Sequence, residues 1–260
     1  MCPSIDVVAI VQDEEEIIHF LLTSCMTLHP FLRSVIIVDG GSQDRTIDII
    51  NSWRDRLPID LVGHPFDNFC SQLNRALDRA RADFIFKADA DLTWGTNMRD
   101  EILAQQYDPA TFFDCRCFFS VIDAYHYTSS NRCGYATTFW KNVGARYVRP
   151  IHSYPVWPGE ENPPDRMAMV RGDWESIRIK GRLKILNTAF IFDNSLRKSD
   201  EALRRRARRY ARWAELSAQA GIPLPVGDDE WCVRNRQKVL DENLYGPLPD
   251  HVAQLVIQGT

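Results

Sequence analysis

The sequence predicts an α/β protein built on a doubly wound, mainly parallel sheet. Short apolar runs alternate with amphipathic stretches at helical spacing through the N-terminal half, the pattern of repeated right-handed crossovers. Each run ends in a turn rich in Gly, Asp or Ser, which bounds the strands. No Gly-x-Gly-x-x-Gly follows the first run and no Gly-x-x-x-x-Gly-Lys-Ser/Thr occurs. That excludes the dinucleotide-binding and P-loop versions of such a sheet.

The elements follow in order. Ile5 to Val11 is a first buried strand. Asp13 with Glu16 three residues on forms a capping-box pattern, and Ile17, Ile18, Leu21, Leu22 and Cys25 follow at helical spacing. Val35 to Val38 is a second strand, running into Asp39-Gly40-Gly41-Ser42-Gln43-Asp44-Arg45-Thr46. The paired glycines permit a sharp turn, and Ser42 or Asp44 can cap the helix carrying Ile47, Ile50 and Trp53. Ile59 to Val62 is a third strand, and Leu73, Leu77 and Ala80 form the stripe of a third helix with Asn74 on its flank. Phe84 to Phe86 is a fourth strand, leading into Asp89-Ala90-Asp91.

That acidic pair is the first place to look for chemistry. If the backbone stays extended through it, both carboxylates point to one face, about 6–7 Å apart. They then lie at the carboxyl end of a strand, where open α/β sheets bind ligands. Their mutual repulsion would be relieved by a divalent cation. The alternative is that one Asp caps the following segment while the other is solvated. Asp13 and Asp39 also close strands, and carboxylates so placed can accept hydrogen bonds from a base N–H and from ribose hydroxyls.

Composition narrows the class. A chain of 260 residues with 45% hydrophobic residues can bury a substantial core as one large or two small units. The net charge of −4 argues against wholesale nucleic-acid binding but leaves room for a local basic patch. No apolar stretch approaches the roughly 18 residues of a membrane span, and no signal-peptide pattern opens the chain. The seven cysteines include no Cys-x-x-Cys pair, so neither a disulfide framework nor a zinc ribbon is expected. The simplest expectation is a reduced, soluble, cytoplasmic protein.

The order of these motifs resembles the family 2 inverting glycosyltransferases of GT-A fold. Val35 to Thr46 is similar to that family's strand and Gly/Ser/Asp/Thr turn. Asp13-Glu14-Glu15, Asn74 and Asp89-Ala90-Asp91 occupy the family's other motif positions in sequence, so the resemblance covers about the first 95 residues. Gln12-Asp13 departs from the small polar residue and Asn usual there. The resemblance implies that Asp39 contacts the nucleotide base, Asp89 the ribose and Asp91 a Mn2+ or Mg2+ ion on the diphosphate. Val11, Asp13, Gly41, Asn74, Lys87 and Ala90 join the nucleotide-sugar-binding candidates. It also implies a hexosyltransferase using a nucleoside-diphosphate sugar, a UDP-sugar by preference, with a saccharide or other hydroxyl acceptor. Residues 1–106 would form the nucleotide-sugar half, 107–196 the acceptor half, and 197–260 a C-terminal helix and extended tail.

From Tyr107 to Trp157 the chain holds 13 of its 28 aromatic residues, which marks a different task from the first half. Phe112, Phe113, Phe118, Phe119 and Phe139 are expected in strands completing the sheet, while Trp94, Tyr154 and Trp157 could equally stack on sugar rings. Trp157-Pro-Gly-Glu-Glu-Asn162 can present a general base, Glu161 or Glu160, to an acceptor hydroxyl, with His152 and Asp173 as rivals. The same loop can be no more than a solvated acidic turn. Ile177 to Phe192 reads as two strands around Lys180-Gly181, and Asp193 would complete the metal site where related transferases carry a His, or cap the next helix.

That helix spans about Ser199 to Ala218, with Leu203, Ala207, Tyr210 and Ala214 on its buried stripe. Arg204, Arg205, Arg208, Arg209 and Arg212 are expected on the opposite, exposed arc. Arg197 to Arg212 carries a local net charge of +6, suited to a donor diphosphate, an anionic acceptor or a membrane surface, or simply solvated. After Gly221 the Pro- and Gly-punctuated tail is expected to wrap in extended form. Two other functions fit such a sheet. A sugar-1-phosphate nucleotidyltransferase would carry a basic Gly-rich loop after the first strand, the opposite of Gln12-Asp13-Glu14-Glu15. A non-catalytic nucleotide-sugar-binding module would keep the fold without turnover.

Overall fold

The computed structural model describes residues 3–104, 112–121, 126–129, 139–148, 154–156, 158, 183–219, 227–242 and 245–247. Strand β1 (Ile5–Val11) is the sheet's organising strand, parallel to β2 (Leu32–Asp39) on one side and β4 (Phe84–Lys87) on the other. Outside β2 lies β3 (Ile59–Gly63), also parallel. The crossovers are α1 (Ile18–Met26), α2 (Thr46–Ser52) and α3 (Phe69–Arg79). β1 is apolar along most of its length because helices cover both faces. Val7, Ala9 and Val11 pack with Leu21 and Leu22 of α1 and Ile50 of α2, while Val8 packs with Leu73 and Ala76 of α3.

Beyond β4 come β5 (Leu92–Trp94), α4 (Thr96–Ala104), β6 (Phe112–Val121), β7 (His126–Ser129), β8 (Phe139–Lys141) and β9 (Arg146–Val148). Then follow β10 (Tyr154–Val156), β11 (Leu183–Asp193), α5 (Asp200–Gln219), α6 (Trp231–Glu242) and β12 (Tyr245–Pro247). The sheet continues from β4 through β8, β6, β7 and β12 in antiparallel pairings. β11 runs parallel to β6 and antiparallel to β5, and β9 and β10 form a separate two-stranded sheet. The expected parallel winding thus holds for β3-β2-β1-β4 and gives way to a mixed sheet after it.

One buried charge pins the start of β1. Asp6 is fully buried, accepts the backbone N–H groups of Arg81 and Ala82 at 2.6 and 2.8 Å, and pairs with Arg33 at 3.3 Å. A carboxylate so satisfied fixes the turn before β4 and with it the register of β1 and β4.

Several local expectations need correction. The capping box at Asp13 and Glu16 does not form: α1 starts at Ile18 without a side-chain cap, and Glu16 instead accepts the N–H and hydroxyl of Ser199. A distant partner outcompetes the local one because Asp13 sits at φ 53, which bends the chain away from helical entry. Asp44, not Ser42, receives the first N–H of α2, at Thr46. The backbone does not stay extended through Asp89 and Asp91; a turn closed by the Leu92 N–H on the Asp89 carbonyl separates them. Trp94 is fully buried, its ring 4.6 Å from that of Phe86, so it is core and not a sugar platform. Phe139, by contrast, is buried in β8 as expected. The C-terminal region is not merely an extended wrap: it holds α6, whose Cys232 packs on Leu203 and Ala207, and the edge strand β12.

Candidate functional site

The carboxyl ends of β1 and β2 lie side by side, with Val11 opposite Asp39. Asp39 is 2% exposed and turns its carboxylate onto its own loop, accepting the Gly41 N–H at 2.9 Å and the Ser42 hydroxyl at 2.5 Å. Gly41 adopts φ +93, a conformation L side chains rarely take, and a Cβ on Gly40 would press within 3.2 Å of Phe66 and 3.3 Å of the Val11 carbonyl. The two glycines therefore let this loop fold tightly over the end of β1. Asp13 completes the lock: its N–H donates to the Ser42 hydroxyl and its carboxylate accepts the Gln43 N–H, both within 2.9 Å.

The second wall comes from the turn after β4 and the end of β11. Asp89 is held by Lys87 at 2.7 Å and keeps about half its side chain exposed. The Asp91 carbonyl accepts the Asn194 N–H at 2.7 Å, which ties the end of β11 to the acidic turn. Asp193 thereby comes beside Asp91. Burial, reinforced by the charge of Asp91, pushes the Asp193 carboxyl up to about 6. Two carboxylates side by side at the strand ends form an acidic pair on one wall of the site.

Helix α5 closes the third side. Its Arg206 lies 3.7 Å from Asp91, and its Arg209 lies 3.5 Å from Asp13 and 3.7 Å from Glu14 while donating to the Gln12 carbonyl. Below it the nearly buried Lys198 pairs with Glu14 at 2.6 Å. Desolvation raises the Glu14 carboxyl, against the pull of Lys198. Trp213 packs edge-on against Phe69 at 4.7 Å and tilted against Phe66 at 6.3 Å, joining α5 to the segment after β3.

These elements enclose a cavity of about 310 Å³, within the range of small-molecule sites. Of the residues expected from the sequence, Val11, Asp89, Ala90, Asp91 and Asp193 line it. Asp13, Asp39, Gly41, Asn74 and Lys87 are not among its lining residues. Asn74 is committed to β9, donating to the Tyr147 carbonyl and accepting its N–H, each at 2.9 Å. Lys87 serves Asp89. Glu160, Glu161, His152, Asp173 and Trp157 lie outside the described residues, as does the side chain of Tyr154.

Sequence reasoning missed Glu14, Phe66, Phe69, Arg206 and Trp213 on the cavity wall, and it placed Arg209 on the solvent arc. A signal existed: Arg206, Tyr210 and Trp213 recur at i, i+4 and i+7, a stripe beside the apolar one. The basic face is also less free than expected. Arg204 pairs with Glu230 at 2.6 Å, and Arg208 with Glu201 and Asp229 at 3.2 and 3.3 Å.

Among the described residues no helix is long and apolar enough to cross a membrane. Comparison with curated proteins found no match. Among solved structures, S. aureus TarS 1-349 is similar with TM-score 0.49 and 14% identity over 78% of this chain and 64% of that one. The mannosyltransferase PcManGT of Pyrobaculum calidifontis, solved with GDP-Man and Mn2+, is similar with TM-score 0.48 and 17% identity over 93% of this chain and 71% of that one. A mycobacterial protein is similar with TM-score 0.49 and 15% identity over 85% of this chain and 76% of that one. This chain thus spans less than two thirds of the TarS chain. Residues 6–159, from β1 through both acidic turns to β10, match the family described as glycosyl transferase family 2; with more than half its length matched, the chain belongs to that family.

Proposed function

We propose that this protein moves a sugar from a nucleoside-diphosphate sugar to an acceptor hydroxyl, with inversion at the anomeric carbon. The observation that carries this is the cavity at the strand ends, with Asp89, Asp91 and Asp193 on its wall, in a family 2 chain. Gly40 and Phe66, close to one another beside Val11, offer an apolar slot for a base. Asp89, half-exposed and oriented by Lys87, is suited to accept from ribose hydroxyls.

Asp91 and Asp193 fit a divalent cation. Both are hard oxygen donors on the same cavity wall, and a cation between them would relieve their mutual repulsion. Among the described residues no third Asp, Glu, His or Cys completes a cluster. Mn2+ or Mg2+ would take its remaining oxygens from water and the diphosphate, as Mg2+ commonly does. When bound, it supplies charge neutralisation on the departing diphosphate. The chain's own task is to hold the donor between β1, the acidic turn and α5, and to keep water off the anomeric carbon with Tyr210 and Trp213. Glu161 or Glu160, with His152 and Asp173 as alternatives, would take the proton from the acceptor hydroxyl for attack on the opposite face.

The nucleotidyltransferase alternative fits less well, because the turn after β1 presents acids already engaged by Arg209 and Lys198. A thermal-shift panel of UDP, GDP, CDP and dTDP, each with and without Mn2+, tests the donor reading directly. A ligand at 100 times its Kd adds about 2.7 kcal/mol of stability. One base should stabilise the protein in a Mn2+-dependent way; a panel with no shift refutes the reading. Turnover of the matching sugar nucleotide then separates an enzyme from a binding module.

A further inference from the structure

Arg206 and Arg209 both enter the cavity from α5, but on different terms. Arg209 is locked by Asp13, Glu14 and the Gln12 carbonyl. Arg206 makes a single ion pair among the described residues, to Asp91 at 3.7 Å. That separation is within Coulomb range but too long for a charge-assisted hydrogen bond. Its guanidinium also lies over the Tyr210 ring at 5.8 Å, on the cavity wall.

The charge balance is unequal. On the cavity wall Glu14 is already matched by Lys198 and Arg209, which leaves the two carboxylates Asp91 and Asp193 beside the single guanidinium of Arg206. A divalent cation on the carboxylates would turn this cluster net positive. Arg206 would then face a cation instead of a free carboxylate, and an anion in the same cavity would be its natural partner.

We infer that Arg206 is a positioning residue that changes partners: it holds Asp91 before donor binds and passes to the donor's diphosphate once a divalent cation takes Asp91. This rests on the donor reading above and adds to it a residue that no strand-end motif contains. Two consequences follow from linkage. Arg206 competes with the cation for Asp91 when no nucleotide is bound, and it cooperates with the cation when a diphosphate is present.

The test uses the whole chain, as wild type, Arg206→Ala and Arg206→Gln. The glutamine variant keeps much of the side chain without its charge and serves should the alanine variant unfold. Mn2+ alone is titrated by the electron paramagnetic resonance of the free ion. UDP, GDP, UMP and GMP are titrated calorimetrically in saturating Mn2+. Loss of the charge should tighten binding of Mn2+ alone by about 5- to 10-fold and weaken the bound diphosphate by about 10-fold, within the usual range of site–site coupling. Monophosphate affinity should not move. Unchanged or weaker Mn2+ binding, or equal losses for mono- and diphosphate, would assign Arg206 a merely structural role. If wild type binds UDP or GDP and the variants bind it as well, only the role of Arg206 falls. If wild type binds neither, with or without Mn2+, the donor reading falls and takes this inference with it.

Discussion

Replacing Lys198 with Met tests how α5 is held over the cavity. Lys198 is 3% exposed and its Nζ lies 2.6 Å from a Glu14 oxygen. At that distance and an effective dielectric of about 20, the attraction is about 6 kcal/mol, an upper figure because desolvation opposes it. Arg209, 3.7 Å from the other Glu14 oxygen, remains to compensate. Breaking a buried pair by removing one partner commonly costs about 3–5 kcal/mol, and Arg209 places this case near the lower end. For a chain of this size that is a fall in Tm of about 6–12 °C. The loss should depend on pH. Burial already raises the Glu14 carboxyl above its ordinary value of 4.5, and without the ammonium it rises further. Between the unfolded and folded values the native state holds more protons, so stability falls as pH rises. Lys198→Met should therefore recover stability in urea denaturation from neutral pH down toward the ordinary carboxylate value of 4.5, and Glu14→Gln/Lys198→Met should lose the slope and regain most of the deficit. A deficit equal at both ends of that range, or a double variant no better than the single, would refute an uncompensated Glu14.

Four further outcomes are expected. Asp91→Asn should melt within a degree or two of wild type yet lose the Mn2+-dependent part of nucleotide stabilisation; wild-type turnover with Mn2+ would rule out the metal role. Glu161→Gln, or failing that Glu160→Gln, should keep donor affinity and cut turnover by about 10² to 10⁴, and unchanged turnover in both transfers the role to His152 or Asp173. Charge reversal of Arg204, Arg205 and Arg208 together should lower the midpoint of chemical denaturation slightly, because it turns the contacts with Glu201, Asp229 and Glu230 repulsive. A neutral result would show those pairs to be incidental. Burial and the charge of Arg197 lower His19 from 6.5 to about 4, so its contribution is complete above pH 6.5 and lost as pH falls toward 4. His19→Gln should flatten that acid limb, and an unaltered limb would deny His19 any part in it.

The wound core was legible because its cause is local. A strand covered on both faces must be apolar at nearly every position, as Val7 to Val11 are, and Gly40-Gly41 announces a turn only glycine can make. The acidic turn was legible as a site but not as a geometry. Whether Asp89 and Asp91 share one strand face depends on a single hydrogen bond, Leu92 N–H to Asp89 carbonyl, which neighbouring residues do not dictate. Helix α6 was hidden because its apolar contacts, Trp231 and Cys232, are few and meaningful only against α5.

Arg206 was missed and Arg209 misread for a deeper reason. A helical wheel assigns charged residues to solvent because burying a charge is costly, and that holds when the helix packs on an apolar surface. Here α5 covers a cavity whose walls carry Glu14, Asp91 and Asp193, supplied by turns more than a hundred residues earlier and by the end of β11. Against such a wall the inward arc of the helix is the favourable place for a guanidinium, and the outward arc has acids of its own in the turn just before α6. The sign of the strand-end turns therefore decides which way a basic helix faces. In a chain whose strands end in carboxylates, arginines on a late helix are first to be placed over those strand ends. Reversing Asp91 to Lys would test that rule alone: α5 should loosen at Arg206 and protection of its amides from hydrogen exchange should fall, while α6, held through Arg204 and Glu230, should keep its contact with the outer face of α5.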